Sequence, residues 1–302
     1  GRGLVQVDRM FEFLLAHGSA PFVPLEVTVY DCPHSPNGIY MRTPRLPTQR
    51  TFAVGIVPQF APNGVTDDHS LQYEQRLVFR VEYLHGTRSQ SWIRAPQACI
   101  VFRAGATIEV HVEFSALEPG AHYAEVVGID PLKLEGAPLV RLPVTAIIPL
   151  PPSDLSFDFV CSNGNVSRTF VAVPPEATWA ELFLCASAPD HDKRILTLHV
   201  TQPRIGEAFT DHEFDQNFRF VDNYTGSFCF ATNGDVVMEI AVAAYWSIVE
   251  DVNVQMRVVF HSSLVDRSRL IAFADVDKAL RVDVAASLGM SERLQPTAVL
   301  TC

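Results

Sequence analysis

Two short stretches of the sequence bring carboxylates and imidazoles together. "PDHDK" at residues 189–193 places an aspartate on each side of a histidine, and "TDHEF" at residues 210–214 places Asp211, His212 and Glu213 in a row. Such side chains in loops can bind calcium or zinc. Beside proline, the same residue types commonly make turns through hydrogen bonds to their own backbone. We interpret both stretches as solvated turns between strands and expect neither a metal nor a cofactor.

A third stretch, "EPGAHYAEVVGID" at residues 118–130, clusters polar and aromatic side chains around two glycines; these are His122, Tyr123, Glu125 and Asp130. A histidine beside a carboxylate can act as a general base. The plainer interpretation is a turn at "EPG" that leads into a strand, because no nucleophile motif accompanies the cluster.

Motifs of the common enzyme classes are absent from the sequence. We find no GxSxG, HExxH, GxGxxG or phosphate-binding loop, which are the usual signatures of hydrolases, zinc proteases and nucleotide enzymes. An autonomous hydrolase that uses His122 or His212 is therefore the least favoured hypothesis. We assign no catalytic, cofactor-binding or metal-binding residue.

The cysteines are widely spaced and form no CxxC pair; they are Cys32, Cys99, Cys161, Cys185, Cys229 and Cys302. This spacing does not fit a zinc site. Several lie within apolar runs such as "LFLCAS" and "SFCFAT", where a free thiol acts as a small buried hydrophobe. We expect reduced cysteines rather than a disulfide framework.

Composition excludes several classes of partner. The formal net charge of −11 and the pI near 5.3 disfavour nucleic acid and anionic membranes, since binding to phosphates needs clustered Lys and Arg. The most apolar run, "VVMEIAVAAYWSIVEDV", is interrupted by Glu239 and Glu250 and is too short to span a bilayer. The hydrophobic content of 48% is typical of a folded globular protein.

Alternation of apolar and polar residues predicts a chain made mainly of strands. "LQYEQRLVFRVEY" at 71–83 and "TIEVHVEF" at 107–114 are the clearest cases, each with one buried face. Seven or eight such strands up to Ile148 indicate an immunoglobulin-like sandwich. After the Pro-rich stretch "PLPPSD" at 149–154, about ten further strands indicate a jelly-roll sandwich.

The amino-terminal stretch "GRGLVQVDRMFEFLLAH" predicts the only confident helix, with Asp8 as its N-cap. Val7, Met10, Phe11 and Leu14 fall on one face of this helix. An apolar stripe of this kind packs against a partner.

Several stretches together resemble one family. The first seventeen residues are similar to the closing strand and helix of a subtilisin-type catalytic domain. The resemblance continues in order through "NGIYMRTP", "VGIVPQF", "GAHYAEVVGID", "GAPLVRLPVTAIIP", "VPPEATWAELFLC" and "HEFDQNFRF". These motifs resemble the tripeptidyl peptidase II family of subtilisin-like serine peptidases, in the region after the catalytic domain.

The resemblance implies a segment that lacks the catalytic triad, cut from a cytoplasmic serine exopeptidase that releases tripeptides from free N termini of oligopeptides. Its implied partners are its own catalytic domain, absent here, and other copies of itself in a large homo-oligomer, while peptide substrates would be met through the parent. The alternative hypothesis is a carbohydrate- or ion-binding β-sandwich module.

The expected fold class is mainly β, with two β-sandwich domains, immunoglobulin-like and then jelly-roll or galactose-binding-like, and one short N-terminal helix. The predicted domains are 1–18 (closing strand and helix of the absent catalytic domain), 19–148 (immunoglobulin-like sandwich), 149–154 (Pro-rich linker), 155–290 (jelly-roll or galactose-binding-like sandwich) and 291–302 (start of the next segment).

Overall fold

The structure is a computed structural model, and it describes most of the chain. The described residues are 6–17, 23–32, 35–60, 73–83, 91–132, 137–153, 155–162, 164–187, 194–245, 251–262, 264–265 and 284–285. The predicted loop "PDHDK" and the final segment 291–302 lie outside these residues.

The described elements are one α-helix, one short 3-10 helix and a succession of strands. Helix α1 spans Val7–His17 and the 3-10 helix spans Phe209–His212. The strands are β1 (Leu25–Val29), β2 (Ile39–Arg42), β3 (Gln49–Pro58), β4 (Glu74–Tyr83), β5 (Ile93–Arg94), β6 (Ala98–Phe102), β7 (Ala106–Glu113), β8 (Gly120–Ile129), β9 (Val140–Ile148), β10 (Ser156–Cys161), β11 (Val166–Ala172), β12 (Trp179–Ser187), β13 (Arg194–Thr201), β14 (Glu213–Phe220), β15 (Asn223–Ala231), β16 (Val237–Ala244), β17 (Val252–His261), β18 (Leu264–Val265) and β19 (Val284–Ala285).

The chain divides into two compact units, and neither is continuous in sequence. The first unit consists of Gly1–Ile39, Gln49–Val112 and Tyr123–Val144. The second consists of Tyr40–Thr48, Glu113–His122 and Thr145–Cys302. The division therefore assigns parts of β2, β7, β8 and β9 to the second unit. The domain boundaries inferred from the sequence remain predictions.

The strands up to β9 form two sheets. One has four strands in the order β1-β3-β7-β5, and the other has five in the order β2-β9-β8-β4-β6. Inward residues such as Phe52, Leu77 and Val110 are fully buried, while their neighbours along each strand face outward. The alternation in the sequence is thus the alternation of two faces of a half-buried strand.

The strands from β10 to β17 form a second pair of sheets. Their orders are β10-β17-β12-β15 and β11-β16-β13-β14. The inward residues of the two sheets make one continuous hydrophobic cluster, which includes Leu182, Leu198, Ile240 and Val254. Each described strand pair in these sheets is antiparallel, as expected of a sandwich in which each sheet buries one face and exposes the other.

A row of aromatic rings fills the core between β14 and β15. The rings of Phe218 and Tyr224 stack with centroids 4.6 Å apart, and those of Phe214 and Phe230 stack at 5.2 Å. Because β14 and β15 are the edge strands of different sheets, these large rings close one side of the sandwich.

A buried ion pair anchors Arg42 within the second unit. Its Nη1 lies 3.2 Å from Oε2 of Glu239, and its Nη2 donates a hydrogen bond of 3.1 Å to the carbonyl oxygen of Val237. The guanidinium also lies over the ring of Phe170, 5.7 Å from its centroid. Only 10% of the Arg42 side chain and 17% of the Glu239 side chain are exposed, so Arg42 is the main partner of the Glu239 carboxylate, which also lies 3.3 Å from the more exposed Arg168.

The structure confirms the expected fold class, mainly β with one short N-terminal helix. Two details of the sequence interpretation are wrong. Asp8 lies in the first turn of α1 and does not precede the helix. Cys185 and Cys229 are exposed, because the alternation of β12 and β15 turns them outward while Leu184 and Phe230 point into the core. Cys99, Cys161, Cys185 and Cys229 are free thiols.

Candidate functional site

The stretch "TDHEF" does not form one site, because its side chains enter different pairs. The ring nitrogen Nε2 of His212 hydrogen bonds to the carboxylate of Glu207 across the 3-10 helix. Glu213 begins β14 and lies 3.2 Å from Nε2 of His199 on the neighbouring strand. Within the described part of the chain, no group of three or more His, Cys, Asp and Glu side chains is arranged to hold a metal ion.

The stretch "EPGAHYAEVVGID" forms a turn followed by β8, as the plainer interpretation predicted. Nε2 of His122 lies 2.7 Å from the carbonyl oxygen of Glu118, so this nitrogen is engaged within its own turn. Glu125, three residues further on, is instead buried, with 6% of the residue exposed. The motif therefore separates its histidine from its buried carboxylate.

Glu125 belongs to a cluster of hydrogen-bonded and charged side chains on β4, β8 and β9. The hydroxyl of Tyr123 donates to its Oε1 at 2.6 Å, and Nη1 of Arg141 lies 2.7 Å from its Oε2. Glu82 is directly opposite on β4, and Arg141 also reaches its carboxylate at 3.8 Å. Two facing glutamates repel each other. Arg141 lies close to both carboxylates and compensates their charges. The cluster therefore stabilises the pairing of β4, β8 and β9.

A shallow cleft of about 440 Å³ brings a thiol, an imidazole and a carboxylate together. Its lining residues are Ala95, Pro96, Ala98, Cys99, Thr107, Ile108, Glu109 and His111. The outward alternation of β7 places Glu109 and His111 on one face, which the sequence predicted. That Cys99 joins them from β6 depends on how the chain folds back, and no local pattern reports it.

The chemistry of the cleft does not favour a nucleophile. Burial raises the pKa of the Cys99 thiol, so the neutral form is stabilised over the reactive thiolate. Nδ1 of His111 lies 2.7 Å from Oγ1 of Thr51, and its Nε2 lies 3.9 Å from Oε2 of Glu109. The imidazole is thus held by its own sheet. The cleft can accommodate a small polar group, but it provides no activated thiol.

A buried imidazole stacks on an indole at one end of β12 and β17. The rings of His261 and Trp179 lie parallel, with centroids 3.9 Å apart, and Oε2 of Glu181 is 3.9 Å from Nε2 of His261. Among the described residues, neither ring nitrogen of His261 has a hydrogen-bond partner. No local sequence pattern indicates this pair, because Trp179 and His261 are far apart in the chain and meet only where β12 pairs with β17.

The apolar stripe of α1 is exposed. Met10, Phe11 and Leu14 have exposed fractions of 51%, 60% and 53%. The stripe that the sequence predicts to pack against a partner is therefore largely uncovered in this chain. As for membranes, none of the helices among the described residues is both long enough and apolar enough to cross a bilayer.

Two family models match the chain in succession. Residues 24–147 match the model described as the first Ig-like domain of tripeptidyl-peptidase II. Residues 161–250 match the model described as the galactose-binding domain-like region of TPPII. Together the two matches take in most of the chain.

Longer relatives from plants align with nearly the whole chain. Tripeptidyl-peptidase 2 of Oryza sativa subsp. japonica is 31% identical over 317 aligned residues, which take in 99% of this chain and 22% of the relative. The Arabidopsis thaliana protein of the same name is 31% identical, with the same two shares. The chain therefore spans about a fifth of the length of these relatives.

A solved structure shares the fold. The crystal structure of tripeptidyl peptidase 2 superimposes with a TM-score of 0.78 at 20% identity, over 89% of this chain and 23% of that one.

Proposed function

Since the chain belongs to the tripeptidyl-peptidase II family, we propose that it is a non-catalytic scaffold and assembly segment of a serine exopeptidase. The parent, in this proposal, is a subtilisin-like peptidase that releases tripeptides from the free N termini of oligopeptides. The observation that carries the proposal is the match, in chain order, to an Ig-like and then a galactose-binding-like domain of that family.

The exposed stripe of α1 supports a partner for this segment. Five apolar side chains of the helix are more than half exposed, namely Val7, Met10, Phe11, Leu14 and Leu15. Exposed apolar patches on soluble proteins commonly mark interaction sites. We propose that this stripe packs against the catalytic domain of the same polypeptide. The first seventeen residues resemble the closing strand and helix of such a domain.

The rest of the proposal concerns the assembled enzyme. The second class of partner consists of other copies of the polypeptide, which together form a large homo-oligomer. Peptide substrates bind to the catalytic domain of the parent and not to this segment. The compartment proposed for the parent is the cytoplasm.

The scaffold role is tested by assaying the chain for peptidase activity. We expect the 302-residue chain to hydrolyse a fluorogenic tripeptide amide at the buffer rate, under conditions where the full-length enzyme gives a clear signal. Loss of a Ser-His-Asp triad costs about a millionfold in rate, so no partial activity is expected.

The matched controls are His122→Ala and His212→Ala, which remove the imidazoles that an autonomous hydrolase would use. Turnover that co-purifies with the chain and disappears in either variant would overturn the scaffold assignment. Turnover that persists unchanged in both variants identifies a contaminating protease, which further purification removes before the assay is repeated.

A carbohydrate- or ion-binding module is the second candidate, because the second matched model is galactose-binding-like. Binding of a ligand to the folded state raises the melting temperature by mass action. A thermal-shift titration with simple sugars and with calcium separates the two candidates. A saturable shift supports a binding module, and a flat response supports the scaffold.

A further inference from the structure

A buried imidazole lies on the outer face of the second sandwich. Along β17 the side chains of Val258 and Phe260 are buried in the core, so His261 points to the other side of the sheet. Only 8% of its side chain is exposed, although Arg257 on the same side of the strand is exposed. The indole of Trp179, which pairs with His261 from β12, covers one face of the imidazole.

The ring nitrogens of His261 lack the hydrogen bonds that buried polar groups normally make. A neutral imidazole has one N–H donor and one acceptor nitrogen. Neither nitrogen has a hydrogen-bond partner among the described residues. Since the large majority of buried polar side chains in proteins are hydrogen bonded, the neutral form of this imidazole is poorly satisfied in its position.

The same surroundings suit a protonated imidazole. The rings of His261 and Trp179 are 3.9 Å apart with an interplanar angle of 12°, and a cation over the face of an indole is attracted by the ring. Oε2 of Glu181 lies 3.9 Å from Nε2 of His261. This separation is about 1 Å longer than a charge-assisted hydrogen bond, so a small side-chain rotation brings the two groups into contact.

Glu181 supplies the one opposite charge close to this imidazole on the described part of the face. The other charged outward residues of the sheet are Asp158 and Arg257. Arg257 precedes His261 by four residues, which corresponds to about 13 Å along the strand, and Asp158 on β10 is further away. Cys229 lies opposite Glu181 on β15; partial burial raises the pKa of its thiol, and the charge of Glu181 raises it further.

We propose that His261 and Glu181 form a proton-operated latch at the end of this sheet. Uptake of one proton turns the imidazole into an imidazolium, whose Nε2–H donates to the Glu181 carboxylate while the ring stays stacked on Trp179. Loss of the proton breaks this bond and restores the observed separation of 3.9 Å. Histidine ordinarily changes its charge between pH 5 and 8, where carboxylates stay charged, so the latch responds to physiological pH.

The latch fastens the end of β17 to its neighbours. The backbone N–H of Thr178 donates a hydrogen bond of 2.9 Å to the carbonyl oxygen of His261, and the N–H of Thr232 donates one of 2.9 Å to the carbonyl oxygen of Thr178. These bonds connect the ends of β17, β12 and β15. Because β17 ends at His261, a closed latch holds the last bonds of the ladder at the point where the chain leaves the sheet.

Histidine-selective NMR of the 302-residue chain tests the latch between pH 5 and 8. The resonance of His261 is the one missing in His261→Gln; if that variant does not fold, it is the one that loses its ring-current shift in Trp179→Phe. We expect Glu181→Gln to move the titration midpoint of His261 to lower pH by at least about 0.5 units, because a nearby opposite charge favours the charged form. An unchanged midpoint, or a His261 that does not titrate in this range, would overturn the proposal.

An exposed pair with the same separation provides the matched control. Nε2 of His111 lies 3.9 Å from Oε2 of Glu109, but 53% and 71% of these side chains are exposed. Water and salt screen such a pair, so Glu109→Gln is expected to move the midpoint of His111 by less than about 0.2 units. Equal shifts at the two pairs would show a general charge effect and contradict a latch at His261.

Amide hydrogen exchange measures the effect of the latch on the sheet. At pH 6 we expect the amides of Thr178 and Thr232 to exchange several-fold more slowly in the wild type than in Glu181→Gln, because the closed latch opposes local opening of the ladder. At pH 8 the imidazole is neutral and the two chains are expected to exchange alike. A difference of the same size at both pH values would show that Glu181 acts without the proton, and the latch would be rejected.

Discussion

At the scale of single residues, two of the described Arg–carboxylate pairs show what burial does to a charge. Arg42 and Glu239 are mostly buried, whereas Arg45 and Asp235 are separated by 3.8 Å with 77% and 61% of their side chains exposed. A buried charge that loses its partner remains desolvated and costs several kcal/mol. An exposed pair contributes little.

We predict that Arg42→Met lowers the free energy of unfolding by about 2 to 4 kcal/mol, because among the described residues it leaves Glu239 paired with Arg168 alone, whose side chain is 61% exposed. Arg45→Met is the matched control and is expected to change the free energy of unfolding by less than about 0.5 kcal/mol. Urea unfolding monitored by circular dichroism measures both. Equal effects of the two substitutions would contradict the role of burial.

A second residue-scale prediction concerns alkaline pH. Burial raises the pKa of the Cys161 thiol to about 11, and a hydrogen bond with Ser167 offsets only part of this effect. The unfolded chain loses this proton at lower pH than the folded chain does, so stability falls as pH rises between the two pKa values.

The wild-type chain is therefore expected to lose about 2 kcal/mol more stability than Cys161→Ala between pH 8 and about pH 11. The remaining Lys, Tyr and Cys groups titrate in both chains, so the comparison isolates Cys161. Urea unfolding at the two pH values gives the difference. Parallel losses in the two chains would show that the thiol is not held neutral.

The candidate residues show what local patterns can and cannot predict. The turn at "EPG" and the strand after it were predicted from the residue types, whereas the contact of His122 with the Glu118 carbonyl oxygen was not. The burial of Glu125 does not, because it depends on Arg141, which reaches it from another strand. His261 and Trp179 likewise meet through the pairing of β12 with β17. Sequence patterns report faces, whereas tertiary pairing decides which faces meet.

At the scale of elements, the register of β4 determines which side chains are buried. Leu77 and Phe79 are buried, whereas Arg80, which follows Phe79 on the other face of the strand, is exposed. A slip of one residue would move Phe79 to the outer face of the sheet. The alternation in the sequence predicted this register.

We predict that Phe79→Ala destabilises the chain by about 3 to 5 kcal/mol, because it removes a buried ring and leaves a cavity. Phe102→Ala is the matched control, since Phe102 on β6 is 54% exposed. We expect it to cost less than about 1 kcal/mol. Chemical denaturation of both variants provides the measurement, and a small effect at Phe79 would indicate a shifted register.

Apolar runs were less informative than alternation at this scale. "LFLCAS" and "SFCFAT" predicted buried cysteines, but within each run only alternate residues face the core. Sheet order was also beyond local patterns. Nothing in the sequences of β10 and β17 indicates that they pair, because strand pairing depends on long-range packing of the two inner faces.

At the scale of the whole molecule, the described chain combines β-sandwiches with a helix whose apolar stripe is exposed. The uncovered side chains of α1 are the surface to which the proposed function assigns a partner. The fold class could be predicted from alternation and linkers. The order of the strands within each sheet could not, since neighbours such as β10 and β17 are far apart in the sequence.

The pairing of β10 with β17 has a consequence for protein synthesis. Ser156 on β10 pairs with Arg257 on β17, so β10 cannot form its ladder with β17 until roughly 100 further residues have been translated. At about 5 to 20 residues per second, that interval lasts about 5 to 20 seconds. During this time the apolar side of β10 is available to chaperones or to nascent chains on the same messenger RNA. Slow codons between β10 and β17 would therefore lengthen the period in which a misfolded or entangled product can form.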